Sequence, residues 1–209
     1  MRGLICLLAA TLLATAAHAG DLTVVLRTAK GQPVRDAVIT VYPSAGVSSG
    51  GIKFDWPYRM AQRNQEFDPF VLIVPQGAVV SFPNLDSVRH QVYSFSPAHP
   101  FELKLYGKDQ TRTVRFDKTG VIALGCNIHD SMVAFIKVVD TPYAAKSGAS
   151  GEAVLHGAPA GAVTLRIWHP YLKAAGNEIV RQLTLPREGG LRESATLELR
   201  MPPMSHMAY

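Results

Sequence analysis

Cysteine is almost missing from this 209-residue chain, which holds two. One, Cys6, lies in the opening stretch MRGLICLLAATLLATAAHAG, so Cys126 stands alone in the remainder, and a disulfide framework within the chain is excluded. Lysine and arginine never form a cluster longer than a pair, and the formal net charge is only +5, which leaves a nucleic-acid-binding surface without its electrostatic footprint. No window carries an apolar stripe over three helical turns, so a helical class is excluded as well. The longest apolar run is the opening one, and it falls short of the ~20 residues that span a bilayer.

That opening run has its own reading. Arg2 supplies a positive start, Leu4 to Ala17 an apolar stretch, and Ala17-His18-Ala19 a small-x-small cleavage pattern. Residues 1–19 are therefore expected to be a signal peptide, with the mature chain beginning near Gly20 and the protein exported to the periplasm. A lipoprotein anchor does not fit, because Cys6 precedes the hydrophobic run instead of closing it. An unpaired cysteine in an oxidising compartment is an intermolecular partner, a reactive thiol or a ligand.

What fills the rest is period-two alternation rich in Val, Ile and Phe, punctuated by glycine and proline. The expected class is all-β, with strands at 22–27, 37–42, 70–74, 78–82, 89–95, 101–105, 111–116, 120–125 and 133–139. Four more are expected at 152–156, 162–168, 179–185 and 194–200. Short strands at this spacing suggest sandwiches. Two breaks, PSAGVSSGG at 43–51 and DTPYAAKSGASG at 140–151, bracket a middle block. The economical arrangement is a middle sandwich at 60–140 whose flanks, 20–59 and 141–200, pack together as a second small one. A single larger sandwich is the alternative. Residues 201–209, MPPMSHMAY, have too little pattern to order themselves and are read as a tail.

The residues that carry chemistry lie in GCNIHDSMVAFIKV, where Cys126, His129 and Met132 fall between two expected strands. A short connection pinned at both ends can aim three side chains at one point. Thiolate, imidazole and thioether are soft or borderline donors that select copper over magnesium or calcium. His90, in NLDSVRHQVYSF, opens a strand upstream in the same block and supplies a second imidazole. Two histidines, one cysteine and a weak axial methionine make the donor set of a blue-copper site. Each residue alone reads as ordinary core. As a set they are better explained by copper than by zinc, which favours Cys/His sites without methionine. A catalytic cysteine with His129 as base leaves Met132 unexplained, and nothing suggests an oxyanion hole. His99, His156 and His169 have no ligand neighbours and read as loop or surface residues.

At this point the block from about Met60 to Asp140 resembles the cupredoxins. The likeness rests on the strand pair FVLIVPQGAVVSFPN, the N-x-D-x-x-x-H run from Asn84 to His90, FDKTGVIALGCNIH, and a C-x-x-H-x-x-M loop of amicyanin-like and pseudoazurin-like length. More widely the chain is similar to periplasmic plastocyanin-like proteins often labelled methylamine utilisation proteins. In these a cupredoxin Greek-key β-sandwich sits within a carboxypeptidase-regulatory-like β domain, here RTAKGQPVRDAVITVYP at 27–43 and SGEAVLHGAPAGAVTLRIWHP at 150–170. The resemblance implies one type 1 copper ion on His90, Cys126, His129 and Met132. It also implies single-electron exchange between redox-protein donor and acceptor, no enzymatic turnover, and His129 nearest solvent with Asp130 and Ser131 beside the partner. A monomer without a transmembrane segment is expected. A carrier that delivers copper without redox turnover uses the same ligands and is the second expectation. Two departures stand out: Gln91 replaces the asparagine that usually follows the first histidine, and CNIHDSM lacks the prolines that stiffen many such loops.

Overall fold

A computed structural model describes residues 20–47 and 51–201. The expected signal peptide, the part of the connector at 48–50 and the tail from 202 onward lie outside the described residues. Sixteen strands are present among them. In chain order they are β1 (Gly20–Thr28), β2 (Val38–Pro43), β3 (Ala61–Arg63), β4 (Glu66–Asp68), β5 (Val71–Pro75), β6 (Ala78–Pro83), β7 (His90–Ser94) and β8 (Phe101–Tyr106). There follow β9 (Thr111–Phe116), β10 (Gly120–Gly125), β11 (Val133–Val139), β12 (Ala144–Lys146), β13 (Glu152–Ala158), β14 (Gly161–Trp168), β15 (Glu178–Leu185) and β16 (Leu191–Leu197). The only helical element among the described residues is a 3-10 turn at Ala175–Asn177, and no helix there is long and apolar enough to cross a membrane. The all-β expectation holds.

Two pairs of sheets each enclose a core. In the first, a three-stranded sheet ordered β13-β1-β16 faces a four-stranded sheet ordered β12-β2-β14-β15. Alternate residues supply the filling: Leu22, Val24 and Leu26 from β1 meet Ile39 and Val41 from β2 and Val163, Leu165 and Ile167 from β14. The second pair sets a five-stranded sheet ordered β5-β11-β10-β7-β8 against the hairpin-like pair β6-β9. Here Leu72 and Val74, Val80 and Phe82, Ile122 and Leu124, and Ala134, Ile136 and Val138 point inward. β6, β7 and β10 bury every second side chain, as strands with one face on a core do.

β5 departs from alternation because all five of its residues are buried. Its inward face belongs to the second core, while Val71 and Ile73 on the outward face join Val38, Phe54, Val139 and Trp168 in a third cluster. That seam joins the two sheet pairs. Polar contacts border it: Lys146 donates to the Val71 carbonyl at 2.9 Å and pairs with Asp36 at 3.0 Å. Lys137 of β11 lies 3.5 Å from Glu178 and sits over the Trp168 ring at 5.5 Å. Burial pushes the Lys137 ammonium below its ordinary range, and Glu178 opposes the effect.

Two features differ from expectation. β3, β4 and β12 have three residues each, too few to show a period. The last strand covers Leu191–Leu197 and not 194–200, because it runs parallel to β1 from Leu22↔Leu191 to Thr28↔Leu197. His169 lies in the loop after β14, one of the two expected settings, and is buried there: it is 6% exposed and its Nδ1 accepts the Tyr171 N–H at 3.2 Å.

Candidate metal centre

His90 opens β7, and Cys126 follows the last residue of β10. These strands are neighbours in the five-stranded sheet, with Gly125 opposite Tyr93, so their ends bring the histidine and the cysteine together at one rim. His90 is completely buried and Cys126 is 3% exposed, a free thiol. The His90 Nδ1 lies 3.9 Å from the Cys126 Sγ. Bond lengths of ~2.0–2.3 Å from imidazole nitrogen and thiolate sulfur to a first-row metal would let one ion bridge that gap.

The turn from Cys126 to Val133 completes the group. Met132 donates its N–H to the His129 carbonyl at 2.9 Å, which closes the loop and brings His129 over the rim. The two imidazole rings have centroids 5.0 Å apart and planes inclined at 54°. Donor atoms of His90, Cys126 and His129 all lie within 4.8 Å of one another. The His129 Nδ1 is buried and has no hydrogen-bond partner among the described residues. A buried imidazole nitrogen left bare is costly unless something else fills its lone pair. Met132 is 1% exposed and packs in the same core cluster as Cys126. Two imidazoles, a thiol and a nearby thioether fit copper by donor softness.

The surroundings hold these groups from outside. The His90 Nε2 is 2.6 Å from the Asp86 Oδ2. Asp86 also accepts the backbone N–H groups of Asn64 at 2.6 Å and Gln65 at 2.9 Å. Burial tends to raise the Asp86 carboxyl, but the Gln65 amide, His90 and the Asn64 amide outweigh it and hold the group below the ordinary carboxylate range. Buried Asn84 shapes the segment between: its side chain accepts the Asp86 N–H at 2.9 Å and donates to the carbonyls of Val88 at 2.9 Å and Tyr106 at 3.1 Å. Gln91 spans the gap to the cysteine loop, accepting from the Asn127 amide at 3.0 Å while donating to Glu102 at 2.6 Å. Its longer side chain thus ties the two donor-bearing segments together.

Gly125 is required by close approach. A Cβ there would lie 2.7 Å from the Tyr93 ring, which covers the residue directly before Cys126.

No protein-family profile and no curated protein matches the chain. Among solved structures, it is similar to a copper-containing nitrite reductase from Thermus scotoductus SA-01, at 23% identity and a TM-score of 0.39. That match covers 56% of this chain and 28% of the reductase. A reduced Cu(I) form of an amicyanin variant matches at 19% identity and a TM-score of 0.37, and an oxidised amicyanin variant at 21% and 0.36. Both cover 50% of this chain and 99% of the amicyanin.

Of the four residues read from sequence, three present donor atoms to one point and the fourth is buried in the same cluster. Asp86 was missed as a functional residue, although it stands inside the N-x-D-x-x-x-H run. Its one visible signal was a carboxylate four residues ahead of a candidate ligand.

Proposed function

We propose that the chain is a periplasmic type 1 copper protein that carries single electrons between redox partner proteins. One observation carries the reading: a buried free cysteine sulfur lies 3.9 Å from the Nδ1 of a buried imidazole, with a second imidazole whose buried Nδ1 has no partner among the described residues. His90 and His129 would hold the ion through nitrogen and Cys126 through sulfur, with the Met132 thioether, buried in the same cluster as Cys126, as a fourth donor. When bound, copper supplies a one-electron couple. With four protein donors no position is left for a substrate, so carriage and not catalysis is the reading.

The protein's part is rigidity and access. His90 and Cys126 are anchored on sheet ends and cross-linked through Gln91 and Asn127, so the donors shift little between oxidation states. His129 is only partly buried and has exposed Ile128 and Asp130 beside it, with Ile128 51% exposed. Exposed Asn127, Ile128 and Asp130 put the least buried donor at the surface, within reach of a partner protein. Residues 60–140 form the copper-binding unit in this reading, and 20–59 with 141–200 form a supporting β domain.

The visible spectrum of the copper-loaded full chain tests the proposal. A strong thiolate-to-copper band is expected, abolished in Cys126→Ala. A colourless wild type that takes up no copper would refute it. A chain that is coloured but loses its copper to a chelator on each redox cycle would favour delivery over electron transfer.

A further inference from the structure

We infer that Asp86 is a positioning residue and that the turn between β3 and β4 is the device that holds it, so that a hairpin outside the donor loops decides which nitrogen of His90 faces Cys126. The functional meaning rests on the copper reading, but the positioning itself is a property of the metal-free protein.

A neutral imidazole donates from one nitrogen and accepts at the other, and the partner of one nitrogen determines the role of the second. At 2.6 Å from Nε2, the Asp86 carboxylate can only accept, so Nε2 must carry the proton. Nδ1 is then bare, and it is the atom 3.9 Å from the Cys126 Sγ. His90 is completely buried, so the ring has no contact with bulk solvent.

The carboxylate is itself gripped from the opposite side. Asn64 donates to Oδ1 at 2.6 Å and Gln65 to Oδ2 at 2.9 Å, both from the backbone. These two residues have φ of 54° and 59°, the left-handed conformation that a two-residue hairpin turn needs and that glycine usually supplies at its second position. Gln65 adopts it without being glycine. Such a turn persists where an outside contact stabilises it, and the Asp86 carboxylate is that contact. One side chain therefore steadies the turn and orients the ring together, while Asn84 holds the Asp86 backbone in place.

The test uses the full chain. In metal-free wild type, nitrogen-15 NMR of the histidine side chains is expected to show His90 protonated at Nε2 and bare at Nδ1. Asp86→Ala is expected to lose that single tautomer and to bind Cu(I) about 10- to 100-fold more weakly in competition with a chelator, the usual effect of removing a partner behind a metal-binding histidine. Asp86→Asn, which keeps one acceptor oxygen, should fall between the two. A wild-type His90 protonated at Nδ1 overturns the inference, even if Asp86→Ala proves unable to fold. So does an Asp86→Ala protein that binds copper as tightly as wild type. A wild type that binds no copper removes the copper reading alone, and the tautomer then decides the positioning role.

Discussion

Replacing His169 with glutamine should remove a defined part of the protein's acid sensitivity. Burial pushes this imidazole down to about 4, although the Asp36 charge and a backbone hydrogen bond at Arg35 act in the other direction. In the unfolded chain a histidine titrates near ~6.5. Because the folded value is the lower one, the unfolded state binds the proton first as the pH falls, and stability declines from about pH 6.5 down to about pH 4. Below that window the full separation corresponds to about 3 kcal/mol; between about pH 7 and about pH 4.5 it amounts to about 2 kcal/mol. The glutamine variant can keep an acceptor for the Tyr171 N–H but has nothing to protonate. Urea unfolding followed by tryptophan fluorescence at both pH values gives the comparison. Wild type should lose about 2 kcal/mol more than His169→Gln across that interval, whatever the substitution costs at neutral pH. Equal losses in the two proteins would refute the assignment of a buried neutral imidazole.

Two further predictions concern packing. Gly125→Ala sets a methyl group 2.7 Å from the Tyr93 ring and should cost about 1–3 kcal/mol in urea unfolding, with a weakened thiolate-to-copper band because Cys126 is the next residue. Trp168→Ala removes the largest side chain of the seam and should cost about 3–5 kcal/mol. As the seam joins both sheet pairs, calorimetry of this variant should still show one transition at a lower temperature. Two separated transitions would show that the cores unfold independently.

The strands were legible where alternation was long. β10 and β11 begin and end where the pattern places them, because GVIALG and VAFIKVV carry clear inside and outside faces between turn residues. The last strand was harder: SATLELR alternates while Glu193 interrupts the pattern ahead of it, and the strand's limits are set by pairing with β1, a contact that no local pattern reveals. The grouping of His90, Cys126 and His129 was legible because each residue type is chemically distinctive and two of them lie in one short loop. Asp86 was not, since its meaning depends on two backbone amides in a hairpin of three-residue strands. That the loop residue His169 is buried was not legible either, since its contacts with Tyr171 and Asn177 form only on folding.

The placement of β1 has a consequence for how the polypeptide is made. This strand lies between β13 and β16, pairing Leu22 with both Leu155 and Leu191, so it emerges well before either of its neighbours. The sheets around His90 and Cys126 draw only on strands from β3 to β11 and can close while the later residues are still being synthesised. Meanwhile β1 has two open edges, the form of backbone most exposed to mispairing with other nascent chains. Emergence from the N-terminal side thus lets the layers around His90 and Cys126 close ahead of the layers that support them.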